Sequence, residues 1–273
     1  MATLTEWQPV AIIGAGRMGR GLALAIRRAG GEVALLSRGR KAEETRGAAL
    51  VLIATPDEAI GDVAGELAHD GAVGERQVVL HLSGLLDRRA LEPLVFTGAG
   101  LGSFHPLQAI ADPASAPERF AGAFAGLEGD ERALTAGERL ASALGMRAVR
   151  LAPGAKPAYH AGAVVASNYT VVLAGMAERL AREAGVAAEA AATMYLPLMR
   201  GTVANLVLGP AAALTGPVRR GDVATVRSHL AVLGKEDRVL YRTLGLAALR
   251  LAREAGLPPE AAAEVERVLE EES

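Results

Sequence analysis

Between Lys156 and Asn168 the sequence gathers an ammonium, an imidazole, a hydroxyl and an amide on an otherwise apolar stretch: Lys156, His160, Ser167 and Asn168. Lys156-Pro157 opens a helical period and Gly185 closes it, so a helix is predicted from Lys156 to about Glu183. At ~100° per residue, Lys156, His160 and Ser167 lie within ~40° of one line on that helix, with Asn168 ~80° from His160. Polar groups on one face of an apolar helix must meet partners or face a cleft. In a cleft, His160 is the first candidate for a general acid near neutral pH and Lys156 the second. Asn168 and Ser83 would donate hydrogen bonds to a reacting oxygen, and His105 would border the same site. Ser83 and His105 each follow an apolar run that reads as a strand, 78–82 and 100–104. His81 falls inside the first run and is read as a structural, hydrogen-bonded histidine.

The element that must position these groups begins at Val10. Four apolar residues lead into Gly14, Ala15, Gly16, Arg17, Met18 and Gly19, and a small-residue helix follows. A G-x-G-x-x-G after a strand and before a helix is a dinucleotide fingerprint. Its first glycine makes the turn, its second admits the pyrophosphate, and its third lets helix and strand pack closely. The pyrophosphate would sit on the helix N-terminus. Glu32 to Ser37 reads as the second strand. Beyond it stand Ser37, Arg38, Gly39, Arg40 and Lys41, where an NAD site would place a carboxylate. Arginine forks suit a 2′-phosphate, so NADP(H) is favoured over NAD(H). The third strand, 49–54, ends at Ala54, Thr55 and Pro56, which should border the cofactor, with Thr55 or Asp57 capping the next helix. Further α/β passages extend the sheet to about eight strands, the sixth and seventh at 121–127 and 146–151. The fold expected is α/β, a Rossmann-like, mostly parallel doubly wound sheet.

After Ala152-Pro153-Gly154 no convincing strand remains. The boundary is placed there, giving a nucleotide-binding domain at 1–154 and an all-α substrate and dimerisation domain at 155–273. Pro197 should kink or break a helix running from Glu189 to about Leu208. The turn-rich loop from Leu214 ends at Asp222, a cap for a helix at 223–233. Within this loop Thr215, Arg220 and Asp222 are candidates for binding a substrate carboxylate or closing the site. Composition sets the outer limits. The 273 residues are 51% hydrophobic and 22% charged with a net charge of −2, which argues against nucleic acid as a partner. No cysteine is present, so disulfides and thiol chemistry are excluded, and no metal site is expected. The first residues lack a signal-peptide pattern and no span suits a membrane, so a cytoplasmic protein is expected.

Five stretches, GAGRMG (14–19), HLSG (81–84), SFHPLQ (103–108), YHAGAVVASNY (159–169) and LTGPVRRGD (214–222), carry a resemblance. The chain resembles bacterial two-domain proteins that join a Rossmann-like domain to a helical C-terminal domain of unknown function. These sit near the 6-phosphogluconate dehydrogenase, ketopantoate reductase and pyrroline-5-carboxylate reductase group. The resemblance implies an NAD(P)-dependent oxidoreductase, homodimeric through the helical domain. It does not supply a substrate. Ketopantoate reductases and hydroxyisobutyrate-type dehydrogenases pair a catalytic lysine with an asparagine four residues later. Here Val164 stands four residues before Asn168, so His160 or Lys156 would replace that lysine. The resulting expectation is hydride transfer between NADP(H) and a small carbonyl or imine, a 2-oxo or 2-hydroxy acid first and a cyclic imine second. A non-catalytic NADP(H)-binding sensor or scaffold is the competing class.

Overall fold

The computed structural model describes residues 7–37 and 42–271. Arg38, Arg40 and Lys41, nominated for a 2′-phosphate, lie outside the described residues. The chain divides into two compact units, 1–169 and 170–273.

The first unit is a seven-stranded sheet, one strand fewer than expected, in the order β2-β1-β3-β4-β5-β6-β7. The strands are β1 Val10–Ile13, β2 Val33–Leu36, β3 Leu50–Ile53, β4 Val78–His81, β5 Gly100–Pro106, β6 Phe124–Gly129 and β7 Arg147–Arg150. Strands β1 to β5 are mutually parallel, β6 runs antiparallel to β5, and β7 is parallel to β6. Helices α1 Arg17–Arg28, α2 Ala42–Arg46, α3 Asp57–His69, α4 Ala116–Phe120, α5 Glu131–Ala143 and α6 Lys156–Val164 accompany it. Strand alternation sends Val10, Ile12, Leu50, Leu52, Val78 and Leu80 to one face, with α1, α4 and α5. Ala11, Ile13, Val51, Ile53 and Val79 go to the other, under α3. Both faces are buried, which is why these strands read as unbroken apolar runs. Antiparallel pairing with β6, as far as Pro106 opposite Ala125, carries β5 past Phe104, so His105 lies within the strand and not after it.

The strand signal ends at Arg150, yet the first unit continues to Tyr169. The reason is that α6 packs onto the sheet through Lys156 and Tyr159. The single long helix expected from Lys156 is interrupted by a π-helical turn at Val165–Tyr169. That turn breaks the uniform ~100° step, so Ser167 and Asn168 do not keep the phase assigned to them. Asn168 is exposed.

The second unit is helical: α7 Thr170–Glu183, α8 Ala188–Met194, α9 Leu196–Asn205, α10 Pro210–Ala213, α11 Pro217–Arg220, α12 Val223–Val232, α13 Lys235–Glu254 and α14 Pro259–Glu270. Pro197 sits in the first turn of α9, and the predicted break falls at Tyr195. Val218, Val226, Leu249, Val265 and Val268 form a core among α11 to α14. By contrast α7 to α9 bury Met176, Ala181 and Ala191 and leave Val171, Val172, Leu198 and Val203 exposed. No helix among the described residues is long and apolar enough to cross a membrane.

Candidate active site

The strand order reverses between β1 and β3, and ligands of open α/β sheets bind in the crevice at such a point. A cavity of about 350 Å³ is found elsewhere; the one here holds about 250 Å³ and is lined by Gly14, Ala15, Gly16, Ser37, Ala54, Thr55 and Pro56, among others. Gly14 has φ +118°, and a Cβ on it would lie 2.5 Å from the Ala54 carbonyl oxygen. A Cβ on Gly19 would lie 1.9 Å from the Gly14 oxygen, while one on Gly16 meets nothing. The first and third glycines thus close the turn, and the second leaves its face open, as a pyrophosphate requires. Helix α1 has Gly16 at its capping position, no side-chain cap and no acidic residue in its first turn, so its N-terminal dipole is free for an anion. Arg17 is exposed at that end and Met18 packs toward the core.

Thr55 does not cap α3, and neither does Asp57: the capping position is Pro56, with no side-chain hydrogen bond. Thr55 Oγ1 is buried and lacks a partner among the described residues. A buried orphan hydroxyl in a glycine cradle is a group awaiting a ligand atom. The described residues therefore fit a dinucleotide.

A second cluster stands at the carboxyl ends of β4 and β5. Lys156, Tyr159 and His160 share one face of α6 by their i, i+3, i+4 spacing. Lys156 is 1% exposed and donates to the Ser83 carbonyl at 2.5 Å and Ser103 Oγ at 3.0 Å. Burial pushes its ammonium down to about 8, opposed by the charges of Glu128, Asp57 and Asp87. The ammonium of Lys156 is thus enclosed, with its hydrogen bonds turned to the loop after β4 and to β5. Ser83 is also committed. Its one hydroxyl proton goes to Asp57 Oδ2 at 2.8 Å, and its oxygen accepts the Leu85 and Leu86 amides. It organises the loop and has no proton left to donate to substrate.

His81 is structural, as its place in the strand suggests. The Ser83 amide donates to Nδ1 at 3.3 Å, so Nε2 carries the proton shared with the Asp87 carbonyl at 3.0 Å. Burial, then the charge of Lys156, pushes it down to about 4. His105 Nδ1 lies 2.9 Å from the Tyr159 hydroxyl, and its ring meets those of Tyr159 and His160 edge-on at 5.5 and 6.0 Å. Burial, with Lys156 and His160 nearby, takes His105 to about 4 as well. Tyr159 is held over Gly126, the cross-strand partner of His105, where a Cβ would come within 2.7 Å of the phenol. Burial raises its hydroxyl above the usual range, so the phenol keeps its proton.

Gly84 underlies both imidazoles. A Cβ there would sit 2.5 Å from His160 Nδ1 and 2.9 Å from His105 Nε2. His160 Nδ1 is buried with no partner among the described residues, so a proton on it would be an unmet donor. The tautomer with the proton on Nε2 avoids that cost. The structure thus brings together His160, His105, Lys156 and Ser83 of the nominated residues and adds Tyr159, Gly84, Ser103 and Asp57. Tyr159 was discoverable from its i+3 spacing to Lys156; Gly84 and Ser103 carry no such signal.

In the second unit, Asp222 caps α12, accepting the Thr225 amide at 3.1 Å and hydroxyl at 2.7 Å. Each carboxylate oxygen accepts one of these bonds, so Asp222 serves as the cap of α12. Thr215 and Arg220 are exposed there. No group of three or more histidines or carboxylates among the described residues is arranged to hold a metal ion.

A switch-point sheet with a glycine cradle, followed by a helical unit, defines a protein of the dinucleotide-fold class with a helical C-terminal region. A profile for a Rossmann-like domain matches residues 37–106. A profile for a domain of unknown function (DUF2520) matches residues 123–266, more than half of the chain, and the protein belongs to that family. No curated protein matches the chain significantly in sequence. Among solved structures, a Thermotoga maritima protein is 25% identical with a TM-score of 0.69, over 90% of this chain and 99% of the other. A Bacteroides fragilis protein named as a candidate NADP oxidoreductase is 21% identical with a TM-score of 0.71, over 89% and 98%. Plasmodium falciparum pyrroline carboxylate reductase with NADP bound shares the fold at 10% identity and a TM-score of 0.59, over 95% and 97%.

Proposed function

We propose that the protein is an NADP(H)-dependent oxidoreductase acting on a small carbonyl or imine. The carrying observation is that the uncapped glycine cradle, with its orphan Thr55 hydroxyl, shares one compact unit with the His105–Tyr159–His160 cluster at neighbouring strand ends. The nicotinamide, when bound, supplies or takes the hydride. The chain's part is to hold the cofactor on Gly14 to Gly19 and to bring His160 Nε2 to the reacting heteroatom. His105 and Tyr159 set the position of that ring, and Lys156 and Ser83 fix the loop beneath it. Neighbours named as an NADP oxidoreductase and as NADP-bound pyrroline carboxylate reductase support this reading.

A 2-oxo acid and a cyclic imine make different demands. The cluster's own cation, Lys156, is enclosed and cannot reach a carboxylate, so a 2-oxo acid needs a cation from another part of the chain. That favours an imine without a carboxylate, since a pyrroline carboxylate would need the same cation. Screening NADPH oxidation against 2-oxo acids, aldehydes and cyclic imines tests the reading, with NADPH and NADH titrated beforehand. Turnover of an imine with tighter NADPH binding is the expected result. Cofactor binding without turnover of any substrate class would support the sensor instead, and equal affinities would sink the 2′-phosphate argument. We also infer a homodimer, supported by the apolar side chains that α7 to α9 leave uncovered. Light scattering should give twice the chain mass, and a monomer at micromolar concentration would overturn it.

A further inference from the structure

We propose that the helical unit carries an anion-binding site for a compact dianion of phosphate or carboxylate chemistry, formed by Arg227, Arg238 and Arg242. These three arginines, with Leu230, Val268 and Glu271, line a cavity of about 350 Å³ between α12, α13 and α14. Among the described residues Glu271 is the one carboxylate in its wall, so the lining side chains carry a surplus of positive charge.

The chain already shows how the site grips an anion. Arg227 takes both oxygens of the Glu271 carboxylate, at 2.7 and 3.1 Å, end-on through its two terminal nitrogens, a two-point grip that guanidinium offers to carboxylates and phosphates. Arg242 donates to the Glu271 backbone carbonyl. The Arg227 hydrogen bond, with Arg267 and Arg242 nearby, holds the Glu271 carboxyl below the usual carboxylate range. Glu271 is thus an internal anion in a wall richer in cations than in carboxylates. Arg238 is the second sign. Its outer nitrogen donates to the Leu233 carbonyl at 2.9 Å, but its Nε is buried with no partner among the described residues. A buried charged donor without an acceptor marks where an external acceptor belongs. An arriving dianion would meet Arg238 Nε and compete with Glu271 for Arg227. This site is independent of the glycine cradle, since its residues all lie in the second unit.

Calorimetric titration of the full chain with inorganic phosphate and with malonate tests the site and separates the two chemistries. The expected result is saturable binding of at least one probe, weakened about tenfold by Arg238→Gln through loss of a charge-assisted hydrogen bond. Glu271→Gln removes the competing charge and should tighten binding about threefold, which serves as the second variant if Arg238→Gln misfolds by circular dichroism. Absence of heat at millimolar phosphate and malonate, or an affinity that none of the unit-two variants alters, would overturn the proposal.

Discussion

The molecule holds two histidine–tyrosine pairs built almost alike. In the first unit His105 Nδ1 lies 2.9 Å from the Tyr159 hydroxyl, with rings 5.5 Å apart at 88°. In the second, His229 Nδ1 lies 2.8 Å from the Tyr241 hydroxyl, with rings 5.8 Å apart at 89°. Local geometry does not separate them; surroundings do. His105 is enclosed between strands, faces a buried ammonium and a second imidazole, and is pushed down to about 4. His229 stands exposed on α12. Low dielectric magnifies every charge near the first pair, and water screens the second. An imidazole beside a phenol becomes a candidate for chemistry only where the fold removes the solvent around it.

The sharpest way to break this comparison is to refill the space beneath the first pair. Gly84→Ala places a methyl against both imidazoles, and NADPH-linked turnover should fall about a hundredfold through misplacement of the reacting group. Thermal melting separates this from unfolding. Unchanged turnover would show that the imidazoles need not converge there.

Next in size is acid stability. His81 and His105 have folded values of about 4, below the 6.5 of the free side chain. The unfolded chain therefore takes up protons first, so stability is complete above about pH 6.5 and falls as pH drops toward 4. For fully buried His81 that loss is about 3 kcal/mol. Lys156, at about 8 when folded, has the same sign in another window, so stability should rise from pH 8 toward 10.5. Denaturant titrations across pH measure both limbs, and Lys156→Met should abolish the alkaline one. An alkaline rise that survives in Lys156→Met would mean another group causes it.

The smallest effects set the two tyrosines against each other. Tyr159→Phe should lower turnover about tenfold by releasing His105, whereas Tyr241→Phe should leave it within about twofold. Equal losses in both would erase the contrast between the two pairs.

The parts of the fold that rest on local pattern were legible in the chain. The glycine cradle, the buried parallel strands, the break near Pro197 and the Asp222 cap all follow from residue type and near-neighbour spacing. What was hidden depends on partners distant in sequence. His105 is drawn into β5 by pairing with β6, and Lys156 is enclosed because Ser83 and Ser103 lie over it. Periodicity located the polar face of α6 without telling which of its members would be sealed. It also assumed regular winding, which the π turn at Val165–Tyr169 does not keep.

The Ser83 hydroxyl has a consequence for motion. It ties the amides of Leu85 and Leu86 to itself while its own proton is held by Asp57, and the Ser83 carbonyl is pinned by Lys156. A connecting segment bound this way should exchange its amide hydrogens slowly, like a strand interior and unlike an ordinary loop. Such a segment is ordered before any ligand arrives. A molecule that settles against it gives up little conformational freedom on the protein's side, and more of its contact energy is left for affinity.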